Sequence, residues 1–190
     1  MKTYIYFVRH AISPFSLDNE RDRGLSEKGK EDSSKIVELL KGEEIDRIVS
    51  STFARAIDTV QPLADLLNLE IYQYEELAER AIASLRYEIS EQDLLQGIER
   101  SFTDLDYCMS EGETTRQAQT RAIPVIHELL KENQGKKIVV GTHGNIMTII
   151  LNYFNSSFGY NFWLQTSKPD IYRLEFVETK LTHVERLWKA

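Results

Sequence analysis

The chain has 190 residues, of which 23 are Lys or Arg and 30 are Asp or Glu, so its formal net charge at neutral pH is -7. This length predicts one domain with a sizeable core, and the acidic balance argues against broad binding to nucleic acid or an anionic membrane, since both attract Lys and Arg. The single cysteine, Cys108, excludes an internal disulfide and a zinc site of the CxxC type. No apolar run is long enough to span a membrane or to act as a signal peptide, so we expect a cytoplasmic protein.

The first half of the chain alternates strand and helix signals. Residues 3–8 form a short apolar run rich in β-branched and aromatic types, which predicts a strand buried on both faces. Ser26 is a favourable N-cap for the helix that follows. Further on, a helical stripe lies between predicted strands at 45–50 and 69–72, and we expect Pro62 to kink this helix or split it in two.

The second half repeats this alternation. Thr114 and Gln117 form a capping box at the start of an amphipathic helix. Residues 137–141 predict a strand, and residues 146–154 are apolar nearly all round, which predicts a buried helix. The chain closes with two predicted strands, 171–177 and 181–188. The alternation indicates an α/β fold, with a mainly parallel central sheet flanked by helices on both faces.

One segment interrupts this pattern between the third and fourth strands. It is too long for an ordinary connection and carries mixed helical and turn signals. We interpret residues of about 80–113 as a small, mostly helical cap inserted into a single domain that spans residues 1–190. Residues 88–113 of this segment contain eight carboxylates and only one basic residue, Arg100. The rest of the chain is therefore balanced in charge.

Polar side chains follow three of the predicted strands. Arg9 and His10 follow the first strand, Arg55 comes shortly after the second, and His143 follows the fourth. Ligands of open α/β sheets bind at the carboxyl ends of strands, so we expect these four side chains to converge. Two guanidinium groups suit the oxygens of a phosphate, and a neutral imidazole can act as a nucleophile. The sequence therefore predicts a phosphate site that requires no metal.

An alternative interpretation is that these residues have no functional role, because a single Arg-His pair after a strand is common by chance. Three such clusters together are harder to dismiss. Clustered positive charge without compensation costs stability, and these residues have no packing role at the mouths of buried strands. The joint pattern favours a functional anion site.

The same residues resemble the signature motifs of the histidine phosphatase superfamily, which includes the cofactor-dependent phosphoglycerate mutases. Arg9-His10-Ala11 is similar to its Arg-His-Gly motif, with Ala in place of Gly. Four further stretches resemble family elements: the helix start at 25–29, the Ser-Ser-x-x-x-Arg-Ala-x-x-Thr element at 50–59, the Leu-x-Glu at 77–79 and the second histidine motif at 142–144. The similarity covers about residues 4–154.

The resemblance implies specific roles at the phosphate. His10 would attack phosphorus and become phosphohistidine, while Arg9, Arg55 and His143 would hold the phosphoryl oxygens. Fixed cations of this kind stabilise the charge of a phosphoryl group during transfer. The other expected phosphate contacts are Ser13 and Asn145.

The resemblance also implies that Glu79 is the acid and base of the reaction. It would protonate the leaving oxygen and then deprotonate the water that hydrolyses the phosphohistidine. Glu79 must therefore begin protonated, which a nearby phosphate anion favours. The neighbouring Glu75, Glu76 and Glu88 are alternative candidates, although each is more typical of a solvated surface carboxylate.

These observations predict a metal-independent phosphatase that hydrolyses a phosphomonoester through a phosphohistidine intermediate. We expect a small phosphorylated metabolite as the substrate, with no cofactor and no nucleic-acid or membrane partner. The Gly-x-Trp-x-Gly-like stretch that follows the acid in many relatives is absent after Glu79, so the resemblance does not identify the substrate. A phosphoglycerate mutase and a non-catalytic phosphate-binding module are the alternatives. The sequence does not predict the oligomeric state.

Overall fold

A computed structural model describes residues 1–16, 19–83 and 89–189. Its strands are β1 (Lys2–Arg9), β2 (Arg47–Ser51), β3 (Ile71–Tyr74), β4 (Lys137–Thr142), β5 (Asp170–Val177) and β6 (Lys180–Arg186). They form one six-stranded sheet in the order β3-β2-β4-β1-β5-β6. The strands β3, β2, β4 and β1 are parallel to one another, whereas β5 is antiparallel to β1 and β6 is antiparallel to β5. The predicted mainly parallel sheet is therefore confirmed.

The helices are α1 (Glu27–Leu40), α2 (Ala54–Leu67), α3 (Glu91–Thr103), α4 (Thr115–Glu132), α5 (Gly144–Phe154) and α6 (Tyr160–Leu164), with a 3₁₀ turn at Glu75–Leu77. Both predicted N-caps are confirmed. The Ser26 hydroxyl accepts the Gly29 N–H at the start of α1, and Thr114 and Gln117 form a complete capping box at the start of α4. Each cap satisfies backbone donors that a helix start otherwise leaves unpaired.

Helices cover both faces of the sheet. Successive side chains of a strand point to opposite faces, and β1 uses both. Ile5 and Phe7 join the apolar cluster that contains α4 and α5, whereas Tyr6 and Val8 join the cluster that contains α1 and α2. This two-sided burial explains why the run at 3–8 is apolar throughout rather than alternating.

The expected split of α2 at Pro62 is wrong. The helix runs unbroken from Ala54 to Leu67, and α4 likewise continues through Pro124. Thr59, Val60 and Leu63, which surround Pro62, are all buried. Their packing against the sheet keeps the helix together although proline removes one backbone hydrogen bond.

The segment predicted as a cap contains one described helix, α3, which contacts α6. The segment is tied to the start of α4, because the Thr115 hydroxyl donates to the Ser101 carbonyl at 2.7 Å. Its role as a cap stays a prediction. The short helix α6 was not predicted from the sequence. Throughout the described chain, no helix has both the length and the apolar character needed to cross a membrane.

Candidate active site

The two predicted histidines meet at one edge of the sheet, beyond the carboxyl ends of β1 and β4. The His10 backbone N–H donates to the Thr142 carbonyl at 2.9 Å, which continues the pairing of the two strands. The rings of His10 and His143 lie edge to face, with centroids 5.3 Å apart. Parallel neighbouring strands therefore bring together residues that are 133 positions apart in the sequence.

The backbone next to His10 fixes the state of its ring. Nδ1 lies 2.8 Å from the Ala11 carbonyl oxygen. A carbonyl can only accept, so Nδ1 carries the proton and Nε2 carries the lone pair. The residue is only 5% exposed, and this burial, followed by the positive charges of Arg55 and Arg9, lowers the pKa of His10 well below its usual value. His10 is therefore a neutral imidazole with Nε2 free to attack.

His143 presents the opposite ring nitrogen. It is fully buried at the N-cap of α5, and its Nε2 lies 2.6 Å from the Ser51 hydroxyl. That hydroxyl also accepts the Phe53 N–H at 3.4 Å. A hydroxyl can both donate and accept, and when Ser51 donates to Nε2 the ring proton lies on Nδ1. Nδ1 has no hydrogen-bond partner in the described chain. Burial and the surrounding arginines lower the pKa of His143 well below its usual value. His143 is thus a neutral imidazole, and in the tautomer with the proton on Nδ1 it can donate a hydrogen bond from that nitrogen.

Arg9 extends from the end of β1 against the start of α5. Its Nη1 donates to both the backbone carbonyl and the hydroxyl of Thr166, and its Nε has no partner among the described residues. A Cβ atom at Gly144 would lie 2.6 Å from the Arg9 Cζ. Gly144 is therefore required for the guanidinium to reach this position.

Arg55 lies in the first turn of α2 and is only 1% exposed. Its Nη2 donates to the Glu20 carboxylate at 2.8 Å, and its Nη1 donates to the Glu20 backbone carbonyl at 2.6 Å. The Arg55 guanidinium also lies 4.8 Å from the centre of the Phe53 ring. The other carboxylate oxygen of Glu20 accepts the Nε of Arg23 at 2.7 Å. Glu20 therefore bridges two guanidinium groups and fixes their spacing.

Glu79 binds the N-terminus of α5. One carboxylate oxygen accepts the Ile146 N–H at 2.8 Å and the Arg80 N–H at 3.0 Å, and the other accepts the Asn145 N–H at 3.2 Å. A carboxylate is favourable at a helix N-terminus because the free N–H groups there carry partial positive charge. Since α5 begins directly after His143, this contact places Glu79 beside the histidine pair.

The alternative acids are less suited to donate a proton. The Arg21 guanidinium, together with the Thr52 hydroxyl, lowers the pKa of the Glu75 carboxyl to about 2. A carboxyl with so low a pKa stays ionised at neutral pH. Glu76 is exposed, and Glu88 lies outside the described residues. Among the described candidates, Glu79 is the one that contacts the helix start next to His143, and its role as the acid stays a prediction.

Two further predicted phosphate contacts differ in their surroundings. The Ser13 hydroxyl donates to the Gly24 carbonyl at 2.6 Å and accepts Nη1 of Arg23 at 2.7 Å, so it stabilises the loop that holds Arg23. Asn145 is 1% exposed, and neither atom of its side-chain amide has a partner in the described part of the chain. The amide of Asn145 is therefore available to a ligand, and both phosphate contacts stay predictions.

Sequence reasoning missed several residues of this cluster, among them Glu20, Arg23 and Lys168. Lys168 is exposed in the loop before β5, where partial removal from solvent and the charges of Arg9 and Arg23 lower the pKa of its ammonium. Ser51 could have been found, because it belongs to the Ser-Ser element that was recognised. Lys168 comes from a distant segment and carries no local signal.

The cluster is suited to an anion with several oxygens. Buried nitrogens without partners in the described chain include Nε of Arg9, Nε of Arg55 and Nδ1 of His143. Such groups cost free energy when left unpaired, and a phosphoryl group can accept from all of them. Within the described residues, no group of three His, Cys, Asp or Glu side chains is arranged to hold a metal ion.

Comparison with known families and structures agrees with the fold described above. The model of the histidine phosphatase superfamily, branch 1, matches residues 5–187. No curated protein sequence is a significant match. The similar solved structures include a mycobacterial glucosyl-3-phosphoglycerate phosphatase, with a TM-score of 0.77, 16% identity and all of both chains covered.

Two other solved structures are comparably similar. YhfR of Bacillus stearothermophilus has a TM-score of 0.75 and 20% identity over 95% of this chain and 94% of its own. A mutant phosphoserine phosphatase from Entamoeba histolytica, in complex with phosphoserine, has a TM-score of 0.74 and 20% identity over 96% of each chain. At these identities the structural similarity establishes a common fold.

Proposed function

The chain belongs to branch 1 of the histidine phosphatase superfamily, and from this premise we propose that it hydrolyses phosphomonoesters through a phosphohistidine formed on His10. The observation that carries the proposal is the bond between Nδ1 of His10 and the Ala11 carbonyl, which leaves Nε2 unprotonated. This nucleophile lies in a buried pocket with Arg9, Arg55 and His143 around it. A nucleophilic imidazole among fixed cations is suited to phosphoryl transfer, in which positioning and charge stabilisation supply most of the catalysis.

In the first step, Nε2 of His10 attacks phosphorus and the bond between phosphorus and the ester oxygen breaks. Arg9, Arg55 and the Nδ1–H of His143 bind the phosphoryl oxygens, whose charge they stabilise in the transition state. The leaving oxygen takes the proton of Glu79 and departs as an alcohol. The phosphoryl group is then bonded to His10, and Glu79 is a carboxylate.

In the second step, the Glu79 carboxylate takes a proton from water as the water oxygen attacks phosphorus. The bond between phosphorus and Nε2 of His10 breaks, and inorganic phosphate leaves. The proton gained by Glu79 and the free lone pair on His10 restore the starting state. Both steps need only groups of this chain to handle protons and charge.

We place the substrate among small phosphorylated metabolites. Two similar structures are named as phosphatases of such molecules, one for glucosyl-3-phosphoglycerate and one for phosphoserine. The acidic segment at 88–113 supports this choice, because its carboxylates disfavour a nucleic acid near the pocket. The proposed compartment is the cytoplasm, and residues 80–113 are proposed to act as a cap.

A phosphoglycerate mutase is the second candidate, because Arg23 and Lys168 add cations beyond the two predicted arginines. A mutase must retain a doubly phosphorylated intermediate, which such cations would favour. Isomerisation of 3-phosphoglycerate, with and without 2,3-bisphosphoglycerate, separates the two candidates. Robust isomerisation in preference to hydrolysis would identify a mutase.

The direct test is turnover of a generic aryl phosphate by wild type and His10→Ala. We expect His10→Ala to lose activity by roughly 10³-fold or more, because its nucleophile is gone. His183→Ala is the matched control, since His183 is exposed in β6. Thermal melts of all three proteins establish that each is folded. If the His10 variant turned over as fast as wild type, His10 could not be the nucleophile.

A further inference from the structure

The loop between α6 and β5 brings a lysine to the mouth of the pocket. In the antiparallel pairing of β1 and β5, Arg9 lies opposite Asp170, and Lys168 precedes Asp170 by two residues. The Arg9 guanidinium also donates to the backbone carbonyl and hydroxyl of Thr166 in the same loop. Lys168 therefore lies between two points at which its loop is attached to Arg9.

Asp170 fixes the other end of this loop. Its carboxylate is fully buried and accepts the Ser167 N–H at 2.9 Å and the Ile171 N–H at 3.0 Å. The Arg186 guanidinium donates to the same carboxylate through two bonds, at 2.9 and 2.8 Å. A bidentate ion pair with a buried carboxylate holds a defined geometry. Contacts within the chain thus fix the conformation of the backbone around Lys168, and no ligand is needed for it.

Lys168 differs from the other cations of the cluster in having no acceptor. Arg55 and Arg23 both bind Glu20, whereas the Lys168 ammonium has no hydrogen bond or ion pair with any described residue. Partial burial lowers the pKa of its ammonium, and the nearby charges of Arg9 and Arg23 lower it further, although the Glu79 carboxylate acts in the opposite direction. Because the Lys168 ammonium is exposed and lies near other cations, it is accessible to an anion that enters the cluster.

There is also space beside Lys168 for the rest of a substrate. Lys168 borders a groove of about 900 Å³ that runs between α1 and the C-terminal residues. Leu39, Leu187 and Trp188 contribute apolar surface to this groove. Arg9, His10 and His143 do not line this groove, so Lys168 is the residue at which the groove borders the cluster.

We propose that Lys168 determines specificity by binding a second anionic group of the substrate, a carboxylate or a second phosphate. Phosphomonoesters that carry such a second group are then preferred. The proposal rests on the proposed function, because it places the phosphoryl group of the same molecule at His10. Lys168 takes no part in bond making. It raises the affinity for substrates with a second anionic group relative to analogues in which that group is uncharged.

The experiment measures binding of unreactive probes by calorimetry, so it does not depend on turnover. The probes are 3-phosphonopropionate, its amide 3-phosphonopropionamide, in which the second group is uncharged, and propane-1,3-bisphosphonate. We expect wild type to bind the two probes with a second anionic group roughly three- to tenfold more tightly than the amide. The stronger of the two indicates whether the natural second group is a carboxylate or a phosphate.

Lys168→Met should bind all three probes with about the affinity of the amide, and Lys168→Arg should keep the preference. Lys28→Met is the matched control. Lys28 is an exposed lysine that borders the same groove, but it is paired with Asp32 at 2.8 Å. We expect this control to retain the wild-type preference because Lys28 is already neutralised.

Three results would overturn the proposal: no preference in wild type, a preference that survives Lys168→Met, or an equal loss of affinity for all probes including the amide. Failure of the proposed function is a separate result, because it appears as aryl phosphate turnover that does not depend on His10. The two ideas can therefore fail independently.

Discussion

At the scale of single residues, one backbone carbonyl determines which nitrogen of His10 can react. The Ala11 oxygen holds the proton on Nδ1, and burial keeps the ring neutral. A histidine at the same place without this contact could expose either nitrogen. The second histidine is held through its Nε2 by the Ser51 hydroxyl. In the proposed reaction the two rings take complementary parts, one as nucleophile and one as hydrogen-bond donor.

The role of Glu79 as proton donor predicts a dependence on the leaving group. Glu79→Gln should lower the hydrolysis of an alkyl phosphate by roughly 10²- to 10⁴-fold, since its poor leaving group needs a proton. Formation of phosphohistidine from an aryl phosphate should fall much less, because that leaving group departs without help. Rapid-quench measurement of the first step with both substrates tests this difference.

Glu75→Gln is the matched control for this prediction, since Glu75 is a nearby carboxylate bound to Arg21 rather than to α5. We expect its rates to stay close to wild type with both substrates. Equal losses by Glu79→Gln on the two substrates would contradict a role in protonating the leaving oxygen.

Whether a site residue can be predicted from the sequence depends on where it lies in the chain. Arg9 ends β1, and His10 and His143 directly follow β1 and β4. Arg55 follows the second strand within a recognisable element, so the sequence places all four at the same end of the sheet. Glu20, Arg23 and Lys168 lie in loops, whose paths depend on tertiary contacts rather than on local periodicity. Only the folded chain shows that Glu20 joins two arginines.

At the scale of elements, the start of α5 organises much of the site. His143 is its N-cap, Glu79 binds its free N–H groups, and Arg9 passes against its first residue, Gly144. The apolar run at 146–154 predicted this helix, but not that its first turn would contact Arg9. That contact depends on the pairing of β1 with β4, which is not encoded locally.

The close approach of Arg9 to α5 predicts the effect of a single methyl group. Gly144→Ala places a Cβ 2.6 Å from the Arg9 Cζ, so the guanidinium must move. A displacement of about 1 Å at a catalytic group can lower kcat/KM by roughly 10²-fold. Steady-state kinetics on an aryl phosphate, together with thermal melts, measures the effect.

Gly42→Ala is the control for this substitution, because a Cβ there meets no atom within 4 Å. We expect it to leave both kcat/KM and stability near wild type. If Gly144→Ala were as active as wild type, the position of Arg9 against α5 would not matter for the reaction.

Strands and helices were predicted correctly from the sequence where their packing agrees with the local sequence pattern. The buried strands appear as short apolar runs and the helix starts as capping residues, and these signals are local. The prediction failed at Pro62, where burial of the surrounding residues outweighs the local preference of proline. The short helix α6 has no side-chain cap and no fully buried residue, so it leaves no periodic signal to read.

At the scale of the whole molecule, the buried histidines link the site to stability. The folded protein lowers the pKa of both His10 and His143 below the ordinary value near 6.5. The unfolded chain therefore binds more protons as the pH falls through this value, which favours unfolding. Stability from these two groups is fully present above about pH 6.5 and is lost below it.

We expect the free energy of unfolding to fall by up to about 2.7 kcal/mol per pH unit below pH 6.5, or about 1.4 kcal/mol for each histidine. His10→Gln should halve this slope, because one titrating group is removed. Urea unfolding between pH 5 and 7.5 measures both slopes. An unchanged slope in the variant would contradict the assignment of His10 as a buried neutral base.

The covalent intermediate is the most direct test of the proposed function. Wild type and Glu79→Gln would be mixed with an aryl phosphate, quenched in base within the first turnover, and analysed by intact mass and peptide mapping. We expect one phosphoryl group on Nε2 of His10, which accumulates in Glu79→Gln because its hydrolysis by water is slowed. Continued turnover without any phosphorylated enzyme, or a phosphoryl group on another residue, would contradict it.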